Sequence, residues 1–255
     1  MKPDPEYSIF LIDKPEGMSS FQTAKATARC FGLKKSGHSG TLDMNVTGVL
    51  VVAVGEATKA ISQLVGLDKS YEGTMRLQNR INERVFRAAC KQFAGRIVQL
   101  PPKKCAVKRA PRLRSIYSLD ITSFGENEVA FRAKVESGTY IRALIRDIGM
   151  MLGCHIEMSS LRRTAVGPFT IDKCVTLEDL SEANAINVAD ALETAGLEKM
   201  VLLDKEIPEV RLGKIIERAD VASHTIKILV DADGRIVALG RVTDVGVHPF
   251  RVFRE

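Results

Sequence analysis

A run of six apolar residues, VLVVAV at 49–54, constrains the fold more than any other feature of this chain. It lies between Gly48 and Gly55, and four of its six residues are the β-branched valine. A short continuous apolar run that is bounded by glycines predicts a strand buried in a sheet. The rest of the chain must therefore supply the strands and helices that cover it.

Segments on both sides of this run alternate between strand and helix patterns. A strand is predicted at 8–12, and a helix is predicted from Ser19 or Ser20, either of which can cap it, to about Cys30. The same reasoning predicts a helix over 82–93 with Val85, Phe86, Ala89 and Phe93 on its buried face, a half-buried strand over 129–135, and a helix from Leu144 to Gly153. Strict βαβ repetition is absent from this pattern, which favours an α+β fold over a doubly wound parallel sheet.

A change of composition near residue 197 predicts a boundary between a main domain at 1–198 and a small unit at 199–255. Residues 176–196 are predicted to form a helical pair. Beyond the boundary, two strand patterns flank the turn sequence DADG at 231–234, which is a hairpin signal. A unit of this size buries little apolar surface, so we expect it to depend on the main domain for stability.

The charge balance is mildly basic, with 37 Lys and Arg against 31 Asp and Glu in 255 residues, a net charge of +6. The densest basic segment is PPKKCAVKRAPRLR at 101–114, which holds six basic residues and no acidic one. Its three prolines disfavour a regular helix. The segment is therefore either a solvated loop or a contact for the phosphates of a nucleic acid.

Composition also excludes several classes of protein. No apolar run reaches the roughly 18 to 20 residues of a membrane span, and the first residues lack the pattern of a signal peptide. The five cysteines are scattered, and no two of them have the spacing of a zinc site or a redox CxxC motif. We therefore expect a reduced, cytosolic protein without a metal site.

The segment GHSGTLD at 37–43 presents a histidine and an aspartate from one irregular turn, with two glycines that let the backbone approach closely. By itself this pattern predicts either a catalytic turn or a structural turn in which Asp43 caps a helix. It is not a phosphate-binding loop of the Walker type, because no Gly-Lys-Ser/Thr follows. The four histidines of the chain are too scattered to form a metal site with it.

Together with five further segments, GHSGTLD resembles the TruB/dyskerin family of pseudouridine synthases. The other segments follow the family's order and are FLIDKP at 10–15, KSY at 69–71, QLPP with AVK at 99–108, GTYIR at 138–142, and LRRT with GPF at 161–169. GHSGTLD, AVKR and LRRT resemble the archaeal and eukaryotic, dyskerin-like branch more than the bacterial enzymes. Two departures are Met44, where the family usually has proline, and Cys105, where serine is common.

The resemblance implies the pseudouridine synthase fold, which is an α+β fold with a central mixed, largely antiparallel sheet flanked by helices. Residues 199–255 resemble a shortened, β-rich PUA-like domain. The resemblance also implies an isomerase that uses no cofactor and no metal ion.

Roles for individual residues follow from the same resemblance. Asp43 is expected to be the nucleophile, Arg142 to pair with it, and Tyr71 to stack on the target base and assist proton transfer. The expected catalytic residues are thus Asp43, Tyr71 and Arg142, and the expected substrate-binding residues are His38, Tyr71, Tyr140 and Leu161. The expected contacts to the RNA backbone are Lys14, Lys103, Lys104, Lys108, Arg109, Arg112, Arg114, Arg162 and Arg163.

The leading hypothesis is a pseudouridine synthase that acts on rRNA as the catalytic subunit of an H/ACA guide-RNA particle. Its partners would be substrate RNA, a guide RNA and the small proteins of that particle, and no membrane. The first alternative is a guide-independent synthase that modifies the T-arm uridine of tRNA. The second is a non-catalytic RNA-binding scaffold or chaperone of the same fold. The expected location is the cytoplasm for an archaeal-like protein, or the nucleolus for a eukaryotic one.

Overall fold

The computed structural model of the protein describes residues 4–102, 110–217 and 225–254. The strands in these ranges are β1 (Ser8–Lys14), β2 (Ser36–His38), β3 (Thr47–Val54), β4 (Lys69–Leu77), β5 (Gly95–Gln99), β6 (Arg112–Phe124), β7 (Glu128–Val135), β8 (Ile156–Val166), β9 (Phe169–Thr170), β10 (Ile186–Asn187), β11 (Glu198–Val201), β12 (Ile226–Val230), β13 (Ile236–Thr243) and β14 (Gly246–Val252). The α-helices are α1 (Ser20–Cys30), α2 (Ile61–Val65), α3 (Glu83–Gln92), α4 (Ile141–Leu152), α5 (Val188–Thr194) and α6 (Ile207–Arg211).

Ten strands form one large sheet in the order β10-β1-β3-β8-β4-β7-β6-β5, with β2 paired to β3 and β9 paired to β8. Strands β3 and β8 are parallel and are joined through two residue pairs, Thr47 with Arg162 and Gly48 with Arg163. The other strand pairings described in this sheet are antiparallel. The sheet is therefore mixed and largely antiparallel, as predicted.

Helices α1, α3 and α4 lie on one face of this sheet. Leu50, which points to the same side as Gly48, packs against α1. Arg163 on β8 is paired with Gly48 on β3 and with Tyr71 on β4. Tyr71 packs in the apolar cluster that includes residues of α3 and α4. Because paired residues point to the same side of a sheet, these three helices share one face.

The opposite face is covered over β1 and β3 by α2, α5 and a second sheet. Val49, Val51 and Ala53 point to this side, so the predicted buried run is covered on both faces. Further along the large sheet, the same face of β4, β7 and β8 carries polar residues and forms an open groove. Its lining includes Glu72, Thr74, Arg132, Ser160 and Arg162.

The second sheet has the order β11-β12-β13-β14, with the predicted hairpin at β12 and β13. Ile228 and Leu239 of this sheet belong to the same apolar core as Ile9 and Val51 of the large sheet. The C-terminal strands are therefore packed onto the main body, which agrees with a dependent unit. The exact division at 198/199 stays a prediction.

Local sequence signals explain the elements that were predicted correctly. Ser19 caps α1 in a capping box, in which its Oγ accepts from the Gln22 amide and Gln22 accepts from the Ser19 amide. Gly153 ends α4 with a φ of +62°. The strands predicted at 8–12, 49–54 and 129–135 are β1, β3 and β7.

Two local predictions were wrong. Residues 176–196, all of which the structure describes, contain one α-helix, α5, and a three-residue 3₁₀ helix at Glu182–Asn184 instead of the predicted pair of helices. Thr176 Oγ1 accepts from the Asp179 amide at 3.2 Å, and such local side-chain bonds compete with helix formation. Val85 is 54% exposed, because the buried face of α3 is formed by Phe86, Ala89 and Cys90.

No helix within the described ranges is long and apolar enough to cross a membrane. Nor do the described residues contain a group of three or more His, Cys, Asp or Glu side chains that could hold a metal ion.

Gly48 permits the close approach of β3 to β8 at their parallel joint. Its φ is +105°, which lies in the region that glycine alone adopts easily. A Cβ at this position would lie 2.2 Å from the carbonyl oxygen of Arg163. The clash is with backbone, so a side chain here requires the joint itself to move.

Gly48→Ala is therefore expected to lower the free energy of unfolding by at least about 2 kcal/mol, through backbone strain and overpacking together. Urea-induced unfolding measures the change. Gly66→Ala is the matched control, because its φ is −73° and a Cβ there meets nothing within 4 Å; it should change stability by less than about 1 kcal/mol. Equal losses in the two variants would contradict the role of Gly48.

Candidate active site

The loop that carries Asp43 joins β2 to β3 and is fixed by hydrogen bonds from two neighbouring segments. The Leu42 amide donates to Ser20 Oγ at 2.8 Å, and Ser20 is the first residue of α1. The Gly17 amide donates to the Met44 carbonyl at 2.8 Å. The Val46 amide donates to the Asp43 carbonyl at 3.1 Å, which closes a turn that leads into β3. Asp43 therefore does not cap a helix.

Arg142 lies in the first turn of α4 and forms a two-point ion pair with Asp43. Its Nε lies 2.9 Å from Asp43 Oδ2, and its Nη2 lies 3.3 Å from Oδ1. The two side chains are 42% and 43% exposed, so the pair is accessible from solvent. Two-point contact with a guanidinium fixes the orientation of the carboxylate.

Gln99, at the end of β5, holds the start of α4 in place. Its Nε2 donates to the Tyr140 carbonyl at 3.0 Å, and its Oε1 accepts from the Tyr140 amide at 2.8 Å. Gln99 is buried, and this pair of bonds fixes the backbone two residues before Arg142. Gln99 belongs to the QLPP motif, which assigned it no role, and its buried amide is visible only in the folded chain.

Apolar side chains form the floor beneath the ion pair. Leu42 and Ile141, the residues directly before Asp43 and Arg142, pack in one cluster with Tyr71 and Leu161. Tyr71 on β4 is paired with Arg163 on β8, and its hydroxyl lies near the Arg163 guanidinium. Asp43 and Arg142 thus contact each other and adjoin the apolar cluster that contains Tyr71 and Leu161, and Tyr140 precedes α4.

His38 lies on β2, opposite Val52 on β3, and precedes the loop that carries Asp43. Burial lowers the pKa of its imidazole below the usual 6.5, and the nearby Arg163 charge lowers it further. The side chain is therefore neutral at pH 7, and it can support a base by packing or by a neutral hydrogen bond.

The structure corrects the prediction that Lys14 contacts RNA. Lys14 is 0% exposed, and its ammonium donates to the carbonyls of Pro15 at 2.7 Å and Met18 at 2.6 Å. A third carbonyl, that of Met44 at 3.3 Å, ties it to the loop after Asp43. Burial lowers the pKa of this ammonium. Lys14 therefore supports the loop from within and does not reach a phosphate.

Arg163 requires the same correction. It is 1% exposed, and its Nε donates to the Val49 carbonyl at 2.8 Å while its Nη2 donates to the Gly40 carbonyl at 3.1 Å. Burial lowers the pKa of its guanidinium, and the Tyr71 hydroxyl raises it. Arg163 thus connects β3, β4, β8 and the loop of Asp43 inside the protein, and almost none of its surface is accessible to a ligand.

The remaining predicted RNA contacts lie in different places. Arg162 points to the opposite face of the sheet, where its Nη2 lies 2.6 Å from Asp13 Oδ2. Arg112 and Arg114 lie on β6, and Arg114 Nη1 lies 3.7 Å from Glu136 Oε1. These three assignments stay predictions. Lys103, Lys104, Lys108 and Arg109 lie outside the described residues.

Lys69 is a buried cation that sequence reasoning did not assign. Its ammonium donates to the Val65 carbonyl at 2.8 Å and to Ser137 Oγ at 2.9 Å, and Ser137 lies in the turn that precedes α4. Burial lowers the pKa of Lys69 to about 8, and the nearby Arg163 charge contributes. The KSY motif contained this residue, but a lysine in a motif does not reveal that it is buried.

Comparison with solved structures defines the class of this fold. A chain of a Cbf5-Nop10-Gar1 complex superposes with a TM-score of 0.84 at 30% identity, over 98% of this chain and 86% of that one. A chain of an H/ACA RNP bound to a substrate RNA containing 2′-deoxyuridine gives a TM-score of 0.83 at 28% identity, over the same shares. The fold is the pseudouridine synthase fold that the motifs implied.

Sequence comparison gives the family. Residues 28–84 match the N-terminal domain model of TruB family pseudouridylate synthases, and residues 142–207 match the C-terminal domain model of tRNA pseudouridylate synthase B. A probable tRNA pseudouridine synthase B of Archaeoglobus fulgidus is 37% identical over 250 residues, which cover 97% of this chain and 72% of that relative. This chain belongs to the TruB family of pseudouridine synthases.

The chain is shorter than several of these relatives. The probable tRNA pseudouridine synthase B of Methanosarcina barkeri is 40% identical over 213 residues, which cover 84% of this chain and 62% of the relative. The Thermoplasma acidophilum protein of the same name is 44% identical over 171 residues, and the match covers 67% of this chain and 47% of the relative. The chain thus spans about half to two thirds of these two relatives.

The buried ammonium of Lys69 predicts a pH dependence of stability. An unfolded lysine has a pKa near 10.4, so between about pH 8 and pH 10.4 the unfolded chain holds a proton that the folded chain has released. Stability contributed by this site therefore rises with pH across that window. Relative to Lys69→Met, the free energy of unfolding of the wild type should increase by up to about 3 kcal/mol.

Denaturant unfolding at a series of pH values from 7 to 10.5 tests this prediction. Lys205→Met, which replaces an exposed lysine, is the matched control and should run parallel to the wild type. A Lys69→Met curve that is also parallel to the wild type across the window would contradict the prediction.

Proposed function

We propose that this protein isomerises uridine to pseudouridine in RNA, with Asp43 as the nucleophile. The observation that carries the proposal is the two-point ion pair between Asp43 and Arg142, which stands on an apolar floor at an accessible surface. In this arrangement Arg142 can hold the Asp43 carboxylate in place while a uracil base covers it. Membership of the TruB family supports the same reaction.

The reaction breaks the bond between C1′ of the ribose and N1 of uracil and forms a bond between C1′ and C5. The C5 proton is then lost and N1 gains a proton, so the product is an isomer of the substrate. Attack by a carboxylate on the sugar or on the pyrimidine ring requires the ionised form in either case. Arg142 supplies that condition, because its charge offsets the desolvation of Asp43 when RNA excludes water.

The target base must leave its stack to reach Asp43, at a cost of a few kcal/mol. In our proposal Tyr71 and Leu161 form the apolar surface that receives the base, and Tyr140 closes the pocket from the start of α4. Tyr71 also assists the proton transfer. The neutral His38 supports the flipped-out conformation from β2.

The RNA backbone is proposed to follow the basic side of the site, past Arg112 and Arg114 on β6 and the basic segment that joins β5 to β6. Phosphate contacts by these residues position the RNA without reading its sequence. Lys14 and Arg163 are not among these contacts, because both are buried.

We further propose that the chain acts on rRNA as the catalytic subunit of an H/ACA guide-RNA particle, with small proteins of that particle as partners. The support is the superposition on chains from a Cbf5-Nop10-Gar1 complex and from an H/ACA RNP. The second candidate, a guide-independent tRNA synthase, is favoured by the name that the curated relatives carry, probable tRNA pseudouridine synthase B. The proposed location is the cytoplasm.

Asp43→Asn tests whether the protein is catalytic or a scaffold of the same fold. We expect pseudouridine formation to fall by at least about 10³-fold, equivalent to about 4 kcal/mol in the barrier, because an amide is not a nucleophile here. Release of tritium from RNA labelled at uracil C5 measures the rate. Asp147→Asn, which removes a carboxylate paired with Arg146 on α4, is the matched control. Undiminished activity of Asp43→Asn would refute the assignment, while RNA binding should persist.

A guide-omission experiment separates the two substrate proposals. The purified protein is incubated with an unmodified tRNA transcript in the absence of guide RNA and partner proteins. If the protein depends on a guide RNA, less than about 1% of the T-arm uridine should be converted in an hour. An active enzyme with a typical turnover rate of about 1 s⁻¹ would convert far more in that time. Efficient conversion would overturn that proposal and favour the tRNA synthase.

A further inference from the structure

Helix α1 presents a line of one aromatic and two basic side chains to solvent. Phe21, Lys25 and Arg29 are spaced four residues apart, so they lie one above another along the helix. All three are exposed, and Phe21 is 66% exposed although it is a large apolar residue. Lys25 Nζ lies 6.0 Å from the centre of the Phe21 ring. We refer to these three residues as the α1 stripe.

The segment that contains the α1 stripe carries charge of a single sign. Residues 17–42 contain four basic residues and no Asp or Glu. Among the residues that the structure describes, Lys25, Arg29 and Lys34 form no ion pair. Two exposed arginines on the neighbouring helices differ in this respect, because Arg87 pairs with Glu83 on α3 and Arg146 pairs with Asp147 on α4.

The stripe starts beside the proposed nucleophile. The Leu42 amide donates a hydrogen bond to Ser20 Oγ. Phe21 directly follows Ser20, and Asp43 directly follows Leu42. Met44, which follows Asp43, is 56% exposed and adds a second apolar side chain on this side. Helices α1 and α4 lie on the same face of the sheet, so one strand of RNA can contact both Arg142 and the stripe.

We propose that the α1 stripe binds the RNA strand next to the target uridine, with Phe21 stacked on a flanking base and Lys25 and Arg29 at its phosphates. This inference rests on the proposed function, because it takes RNA as the substrate. Residues 21 to 29 span about 12 Å of helix, a length that three or four stacked nucleotides cover at about 3.4 Å each. An exposed aromatic ring beside unpaired cations is the combination that binds single strands independently of sequence.

The buried side of α1 makes the stripe separable from folding. Thr23, Ala24, Thr27 and Ala28 face the sheet and hold the helix there, and the stripe residues point away from them. Replacement of the stripe should therefore leave stability almost unchanged, and an effect on RNA can be assigned to lost contacts.

Lys25→Gln/Arg29→Gln and Phe21→Ala test the inference through binding alone. The probe is a fluorescein-labelled, single-stranded RNA of about 12 nucleotides with one central uridine. Its binding is measured by fluorescence anisotropy at KCl concentrations from about 50 to about 300 mM, because the salt dependence reports the number of phosphate contacts. The double variant should bind about tenfold or more weakly at low salt. Its slope of log K against log salt should be less steep by about 1.4, since each lost phosphate contact removes about 0.7. Phe21→Ala should weaken binding about tenfold without changing the slope.

Arg80→Gln/Arg84→Gln is the matched control. It also removes two exposed positive charges, but these lie after the far end of β4, near the start of α3. Wild-type affinity and slope in the control, together with losses in the stripe variants, support the proposal. Equal losses in the control and in the stripe double variant would overturn it, because they would show a general charge effect.

A crosslinking experiment locates the contact and separates this inference from the proposed function. Phe21 is replaced by the photoreactive amino acid p-benzoylphenylalanine, and the crosslinked nucleotides of the same RNA are mapped. Crosslinks to nucleotides that flank the uridine support the stripe, and an absence of crosslinks at wild-type-like affinity overturns it. If the wild type binds through the stripe but forms no pseudouridine, even on unmodified tRNA or when guide RNA and partner proteins are supplied, the proposed function fails and the binding surface stands.

Discussion

The guanidinium of Arg163 is the interaction on which the arrangement of the site depends. It is buried between β3 and β8, and it donates to carbonyls on β3 and in the loop before Asp43. It also contacts the Tyr71 hydroxyl on β4. A buried cation is costly unless it is fully hydrogen-bonded, so this set of partners cannot be loosened one at a time without a large loss of stability. The backbone and the aromatic floor of the site are therefore fixed by one side chain.

Two further buried cations, Lys14 and Lys69, fix the segments that carry Asp43 and Arg142. Lys14 binds three backbone carbonyls next to the loop of Asp43, and Lys69 binds the turn before the helix of Arg142. Both residues are buried and neither faces the surface. The exposed pair is thus held by buried cations, which keeps the geometry of the site fixed independently of what binds at its surface.

Local signals predicted much of the fold, and long-range burial explains most of the errors. The valine-rich run, the capping box at Ser19 and the glycine after α4 act within a few residues, and the sequence shows them directly. The burial of Lys14 and Arg163 depends on strands that are distant in sequence, and basic side chains are usually exposed. Motif resemblance supplied Asp43 and Arg142 as partners. The bonds of Ser20, Gln99 and Lys69 appear only once the chain is folded.

The parallel joint between β3 and β8 has a consequence for how the protein folds. The two strands are more than a hundred residues apart in sequence, yet two residue pairs connect them. Closing so long a loop costs chain entropy before many contacts compensate for it, which makes such a step slow. Each half of the large sheet can form from nearer neighbours, whereas Asp43 and Tyr71 meet only when the halves dock. A nascent or partly folded chain would therefore hold most of its secondary structure and still lack a complete binding pocket.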